Sequence, residues 1–417
     1  MLPEDETVRL ARKAPQLTLR DHDSQIDVAR MRNYRLKRAH EQLVHAECDA
    51  AILFDPINIR YTTGTSCHPI FTFHVPTRYA VIPVEGKAVL FETGGLEQTA
   101  KGIDTLAQVR TARPISFFFA GPRLLEQTRN WAAEIVDVLC SLTGHKRSKV
   151  AVDRIEPLPA AALQEFGLTI VSAQGPLEYA RVIKSEDEIA CMIAAISVGE
   201  KGMAKMRDAL EPGITENELW SYLHQTNISH GGEWIEARLL SSGGNINPWG
   251  KECCDKIIRA GELVAFDTDM VGPLGYCVDV SRTFYCKPGK PTGEQRRLYQ
   301  TAAEQLAHNL SLVRPGITFR EYSEQAWKIP DEFLRNRYSV LAHGIGLCDE
   351  YPAIAHQVDW ESVGFDGEIK EGMTLCLESF IGAEAGVEGV KLEEQVLVTA
   401  AGYQKLSTFP YEDELLN

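Results

Sequence analysis

The chain has 417 residues, with 58 acidic against 43 basic side chains and a net charge of −15. This length is enough for two domains, and the ordinary fractions of apolar and charged residues predict a globular protein. The acidic excess argues against a nucleic-acid partner and against attraction to an anionic membrane surface.

The N-terminus is acidic and carries no apolar core of signal-peptide length, and no uninterrupted apolar run approaches the length of a membrane-spanning helix. Its ten cysteines lack paired, metal-type spacing, which favours buried thiols in a reducing compartment over a disulfide framework. We therefore expect a cytoplasmic protein. Residues 1–25 are polar and without periodicity, and they predict an extended arm.

Residues 1–180 are predicted to form an α/β domain. A charged helix over residues 27–47 leads into a short buried strand, and Asp55-Pro56 then breaks the chain before a short helix or turn that ends at Gly64. The remaining elements are strands at residues 79–83, 88–92, 149–153 and 168–171 and a helix at 124–142. Their alternation predicts a mixed sheet.

Residues 181–417 are predicted to form a second, α+β domain. Ser185 and Glu188 make a capping box that starts a long helix to about Leu210, and Thr215 and Glu218 repeat the pattern. Further on, the patterns predict a strand at 236–241, helices at 292–313 and 318–328, and strands at 374–380 and 388–399.

Three aspartates occupy one apolar hairpin of this second domain. Its strands are predicted at 262–271 and 276–286. Because side chains on a strand alternate between its faces, Asp267 and Asp269 share a face, and antiparallel pairing can bring Asp279 to meet them. Carboxylates this close need protons or a divalent cation between them. The hairpin therefore predicts a metal site.

An alternative is that some of these aspartates cap turns or pair with Arg282. Two later strands favour the metal, since they place Glu378 and either Glu393 or Glu394 inside apolar runs, where a carboxylate needs a partner. A histidine in a glycine-rich loop, His343, supplies a nitrogen donor. Strand alternation alone does not choose between the two adjacent glutamates.

The order of donors, aspartate, aspartate, histidine, glutamate, glutamate, resembles that of the creatinase, prolidase and methionine aminopeptidase superfamily. The matching stretches are residues 51–64, 181–188, 275–284, 343–346, 378 and 391–394. The resemblance implies an α/β N-terminal domain followed by an α+β "pita-bread" domain. It implies two divalent metal ions, with Asp267, Asp279, His343, Glu378 and Glu393 as ligands.

Departures from the peptidase pattern bear on the reaction. Asp269 stands where those peptidases have glycine, no second histidine occurs between Leu347 and Pro352, and Ser379-Phe380 follows Glu378 in place of Pro-Gly. The second histidine of the peptidases contacts the substrate. An Xaa-Pro aminopeptidase or prolidase-like hydrolase of C–N bonds is therefore the alternative function, and a metal-free binding module is disfavoured by the intact donors.

The same departures resemble the dimethylsulfoniopropionate lyases of the DddP type. That resemblance implies β-elimination of a small zwitterion to dimethyl sulfide and acrylate at a dimetal centre in a cytoplasmic homodimer. Iron is the expected metal, with Mn, Zn or Co also compatible with the donors. Asp269 becomes a further metal ligand, and Asp349 is predicted as the base. Tyr338 is predicted to bind the sulfonium, with Trp249 and Trp360 as further aromatic candidates.

Overall fold

The computed structural model of the protein describes residues 26–144 and 148–417. The chain divides into two compact units, one formed by residues 27–181 and the other containing residues 182–417. The arm predicted at residues 1–25 lies outside the described residues.

The first unit is built on a six-stranded sheet. Its helices are α1 (Val28–His45), α2 (Pro56–Thr63), α3 (Pro69–His74), α4 (Phe117–Ala120), α5 (Leu124–Thr143), α6 (Pro157–Glu165) and α7 (Gln174–Arg181). Its strands are β1 (Ala50–Leu53), β2 (Tyr79–Pro83), β3 (Ala88–Glu92), β4 (Leu106–Thr111), β5 (Lys149–Val152) and β6 (Thr169–Ser172). The strand order is β4-β3-β2-β1-β5-β6, and β1 runs antiparallel to β2 but parallel to β5. The predicted mixed sheet is confirmed.

Strand alternation places a hydrophobic core on each face of this sheet. From β1, Ile52 joins the core that contains Trp131 of α5, whereas Leu53 joins the core that contains Leu36 of α1. The sequence missed β4 because it is an edge strand whose side chains are all partly or fully exposed, so it lacks an apolar pattern.

The second unit begins with helices α8 (Glu186–Ala209) and α9 (Glu216–Ser229), and both predicted capping boxes are present. Its later helices are α10 (Gly293–Leu312), α11 (Phe319–Gln325), α12 (Asp331–Leu334), α13 (Trp360–Val363) and α14 (Asp413–Leu416). Its strands are β7 (Trp234–Ile235), β8 (Leu240–Ser242), β9 (Leu263–Asp267), β10 (Met270–Val271), β11 (Cys277–Val278), β12 (Ser281–Tyr285), β13 (Ala342–Ile345), β14 (Asp349–Ile354), β15 (Thr374–Ile381), β16 (Val390–Thr399) and β17 (Gly402–Lys405).

These strands form three sheets, in the orders β11-β10-β7, β12-β9-β8 and β14-β13-β15-β16-β17. The single strand predicted at 236–241 is wrong. The chain instead switches sheets there, because β7 pairs with β10 and β8 pairs with β9. Among the described residues, none of the helices combines the length and the apolar character that crossing a membrane requires.

Candidate metal centre

The aspartate hairpin is interrupted where its carboxylates lie. The ladder between β9 and β12 ends at the pair Asp267 and Ser281, and pairing resumes between β10 and β11. In the gap, the Thr268 hydroxyl donates to the Val278 carbonyl oxygen (2.9 Å) and accepts from the Val280 amide (3.0 Å). This side chain thus replaces ladder hydrogen bonds that the backbone cannot make there.

The interruption corrects the continuous strands expected from the sequence. Asp269 has a φ of 38°, in the left-handed region that an aspartate tolerates better than most residues. Asp279 also lies outside the ladder. One carboxylate oxygen from each of Asp267, Asp269 and Asp279 nevertheless lies within 4.8 Å of the others. The hairpin brings the three predicted carboxylates together through a gap in the pairing.

His343 lies in strand β13, whereas the sequence placed it in a loop. The short strand lies between β14 and β15 in its sheet and is buried along its whole length, and Gly344 occupies a ladder position in it. The Nε2 atom of His343 lies 3.3 Å from Glu378 Oε1 and 3.4 Å from Asp279 Oδ2, and its Nδ1 lies 3.0 Å from the Gly344 carbonyl oxygen. If Nδ1 carries the proton, Nε2 has a free lone pair that faces the carboxylates.

Two glutamates meet directly across the last large sheet. Glu378 of β15 pairs with Glu393 of β16, and both side chains are fully buried. Like charges directly opposite on a sheet destabilise it unless a cation lies between them. The neighbouring Glu394 points to the opposite face, where its Oε1 accepts from Arg282 (3.0 Å) and Tyr411 (2.7 Å). Alternation therefore assigns Glu393 to the site and pairs Arg282 with Glu394.

A lysine that sequence reasoning missed lies inside the cluster. Lys391 Nζ is 2.9 Å from Asp267 Oδ2, 2.7 Å from Glu378 Oε2 and 3.0 Å from Glu393 Oε2, and it donates to Ser281 Oγ at 2.6 Å. The available signal was its position two residues before Glu393 in an apolar strand, since that spacing places both side chains on one face.

The structure places Asp349 and Tyr338 at different depths beside the cluster. Asp349 starts β14, its side chain is 66% exposed, and its Oδ1 lies 3.7 Å from His343 Nδ1. The Tyr338 ring centre lies 4.6 Å from Lys391 Nζ, and that of Trp249 lies 5.9 Å from it. The ring of Trp360 instead packs against Arg320.

Electrostatics within the cluster show an excess of negative charge. Burial, together with the charges of Asp267 and Asp349, raises the pKa of Asp269 to about 9. Burial also raises the pKa of Asp279 well above its usual range, and the charge of Glu393 adds to this effect. Burial acts in the same direction on Asp267 and is the largest single effect there, but the Lys391 ammonium and the neighbouring carboxyl groups of Asp279 and Glu393 together outweigh it and lower that pKa to about 2. One ammonium therefore does not neutralise all the carboxylates.

The donor set fits divalent metal ions. Asp267 Oδ1, Asp279 Oδ1 and Glu393 Oε1 are buried and have no hydrogen-bond partner among the described residues, a state that costs free energy unless a cation is bound. In the part of the chain that the structure describes, three groups of side chains have ligand atoms close enough to share an ion: Asp279, His343, Cys376 and Glu393; Asp267, Glu378 and Glu393; and Asp267, Asp269 and Asp279. The sequence had not indicated Cys376 as a donor. Carboxylate and imidazole ligands suit Fe, Mn, Co or Zn.

Comparison with known proteins matches both parts of the chain. Residues 35–183 match the creatinase/prolidase N-terminal domain, and residues 190–400 match metallopeptidase family M24. The chain belongs to the M24 family. The resemblance drawn from the order of the donors is thereby confirmed, as is the predicted α/β plus pita-bread architecture.

Relatives of this M24 chain include two curated enzymes. The dimethylsulfoniopropionate lyase DddP of Roseovarius nubinhibens is 33% identical over 395 residues, which cover 94% of this chain and 88% of that one. The DddP of Roseobacter denitrificans is 32% identical with the same coverage. Among solved structures, an Xaa-Pro dipeptidase from Bacillus anthracis has a TM-score of 0.72 at 19% identity and covers 91% of this chain and 98% of its own. This last likeness shows the shared fold.

Proposed function

We propose that this M24 enzyme is a metal-dependent lyase that cleaves dimethylsulfoniopropionate into dimethyl sulfide and acrylate. The observation that carries the proposal is the position of Asp349, a carboxylate that touches His343 at 3.7 Å but is 66% exposed and so open to a substrate. Two relatives of this chain, 33% and 32% identical over nearly its whole length, are named dimethylsulfoniopropionate lyases.

In this proposal Asp349 removes the proton from the carbon next to the substrate carboxylate. The electron pair of that C–H bond forms the C=C bond of acrylate, and the C–S bond breaks with its electrons leaving on sulfur. Dimethyl sulfide departs neutral, so no acid is needed at that end. General-base catalysis of this kind contributes about 100-fold to 10,000-fold.

We propose Asp267, Asp269, Asp279, His343, Glu378 and Glu393 as the residues that hold the metal. When bound, the metal supplies a positive charge that stabilises the charge developing on the substrate carboxylate. Tyr338 would form an aromatic wall of the site, because its ring already faces a cation, the ammonium of Lys391. We expect iron as the native metal in a cytoplasmic homodimer.

An Xaa-Pro peptidase is the alternative, since the metal-binding donors and the fold serve both reactions. The position of the next histidine after His343 argues against it. His356 is buried, and its Nε2 lies 2.9 Å from the Tyr338 carbonyl oxygen. His356 is therefore held by a backbone carbonyl group. The exposed side chain near His343 is the carboxylate of Asp349, where a peptidase would need a second histidine.

Headspace gas chromatography of the metal-loaded protein with dimethylsulfoniopropionate tests the proposal, with Xaa-Pro dipeptides supplied in parallel. We expect dimethyl sulfide from the wild type and a rate at least about 100-fold lower from Asp349→Asn, which keeps the shape of the side chain but removes the base. Metal content measured on the same samples should not change.

A matched control is Asp366→Asn, because Asp366 is 85% exposed and forms an ion pair with Arg320 at 3.6 Å. This variant should release dimethyl sulfide at the wild-type rate. Peptide cleavage without dimethyl sulfide would replace the lyase with the peptidase, and an unchanged rate in Asp349→Asn would remove Asp349 as the base.

A further inference from the structure

Lys391 is an unusual residue to find in the middle of a metal-binding cluster. Its side chain has no exposed surface, and its ammonium lies within 3.0 Å of one oxygen from each of Asp267, Glu378 and Glu393. These three carboxylates form one of the groups whose ligand atoms are close enough to share an ion. The ammonium and a metal ion would therefore compete for the same carboxylate oxygens.

The surroundings of the ammonium suit a cation on every side. Besides the three carboxylates, it donates to Ser281 Oγ at 2.6 Å, and the rings of Tyr338 and Trp249 lie 4.6 and 5.9 Å away. Ser281 in turn donates to Glu393 Oε2 at 2.8 Å, which fixes the hydroxyl as an acceptor for the lysine. An ammonium has three donors, and all of them find partners here.

We propose that Lys391 is a built-in counter-ion that makes the two metal positions unequal. The first ion binds on the side of Asp279 and His343, which are not among the described residues that bind the ammonium. A second ion reaches Asp267 and Glu378 only by moving the ammonium off them, and it must then bind beside a remaining positive charge. The second ion is therefore bound more weakly than the first.

This inference rests on the assignment of the carboxylates as metal ligands and holds for either reaction of the site. It has a second consequence. Because the ammonium compensates part of the buried negative charge, the metal-free protein keeps a folded site. Removal of the lysine charge should make folding depend much more strongly on metal.

The test is a titration of the metal-stripped protein with Mn²⁺, followed by calorimetry and by electron paramagnetic resonance. In the wild type we expect two steps at least tenfold apart in dissociation constant, with the spectrum of isolated Mn²⁺ at one equivalent. Lys391→Met, which keeps an unbranched chain of similar length without the charge, should tighten the second step at least tenfold and show spin-coupled Mn²⁺ pairs from the start.

Two further variants separate charge from packing. Lys391→Arg keeps a buried positive charge and should keep two separate steps. Lys405→Met removes an ammonium from Glu394 on the other face of the same sheet, where the lysine is 38% exposed, and should titrate like the wild type. The melting temperature gained on adding Mn²⁺ should be largest in Lys391→Met.

Two equal sites in the wild type would overturn the proposal, even if Lys391→Met did not fold without metal. Separate steps that persist unchanged in Lys391→Met would overturn it too. Stepwise binding of Mn²⁺ by a protein that releases no dimethyl sulfide would reject the lyase and leave this inference standing.

Discussion

Two clusters of buried charge occupy opposite faces of the last large sheet, and they differ in balance. On one face, Glu394 Oε1 meets Arg282, Lys405 and the Tyr411 hydroxyl at 3.0, 3.1 and 2.7 Å. On the other, Glu378 and Glu393 face each other with two buried aspartates and share one ammonium and one imidazole. In the first cluster two cations and a hydroxyl balance one carboxylate, although Glu394 Oε2 has no hydrogen-bond partner among the described residues. In the second cluster the carboxylates outnumber the cations, so it requires cations from outside.

This contrast distinguishes a structural charge from a binding site when both are fully buried. Arg282 also donates to the carbonyl oxygens of Glu393 and Phe409 at 2.8 and 2.7 Å. It therefore joins the sheet to the C-terminal segment. Mutations should separate these roles, since loss of a member of the balanced cluster costs stability and loss of a member of the other cluster costs metal binding.

The largest loss of stability is expected for Arg282→Met. This change leaves Glu394 buried without its closest guanidinium and removes donors from two carbonyl groups, so the free energy of unfolding should fall by about 3–5 kcal/mol. Urea denaturation measures it, and the folded fraction should bind metal as the wild type does. A loss below about 1 kcal/mol would show that the cluster is not structural.

An intermediate loss of stability, at acidic pH, is expected from His356, which belongs to neither cluster. Burial, helped by the positive charge of Arg337, lowers its pKa from 6.5 to about 4. As the pH falls from 6.5 to 4, the unfolded chain takes up the proton before the folded protein does. The contribution of neutral His356 to the free energy of unfolding is therefore fully present above pH 6.5 and is lost as the pH drops toward 4. At pH 5 the loss from this group should be about 2 kcal/mol relative to pH 7.

His356→Gln should lack that part of the pH dependence. Urea denaturation of both proteins at pH 5 and pH 7 gives the difference directly. An identical pH dependence in the two proteins would show that His356 titrates normally in the folded state.

The smallest change in stability, with the opposite sign, is expected for Glu393→Gln. In the presence of chelator this variant should be more stable than the wild type by about 1 kcal/mol, because it removes one of two like charges directly opposite each other. With metal present it should be less stable, since it loses a ligand. Differential scanning calorimetry with and without chelator checks both signs, and a loss of stability in both conditions would contradict the account.

Several helix boundaries and part of the candidate site could be predicted from the sequence. The capping boxes at Ser185 and Thr215 predicted the starts of two helices, because the hydroxyl accepts from the backbone amide three residues later and the glutamate there accepts from the capping residue's own amide. The hairpin of Asp267 and Asp279 was predicted as a place where carboxylates meet. Strand periodicity carries this information locally.

The rest depended on contacts between distant parts of the chain. The gap at Thr268 arises because the two ends of the hairpin join different sheets. The choice between Glu393 and Glu394 depends on Arg282, more than 100 residues earlier, and the role of Lys391 depends on Asp267 and Glu378. Local patterns identify which side chains are buried but not which partners they meet.

Metal analysis of two matched variants shows which face of the sheet binds metal. Glu378→Gln and Glu394→Gln each remove one buried carboxylate, from opposite faces of the same sheet. Measured by inductively coupled plasma mass spectrometry after purification and dialysis, the wild type and Glu394→Gln should retain Fe, Mn, Co or Zn, and Glu378→Gln should have lost most of it. Equal metal content in the two variants, or a wild type that binds no metal when loaded, would contradict the account.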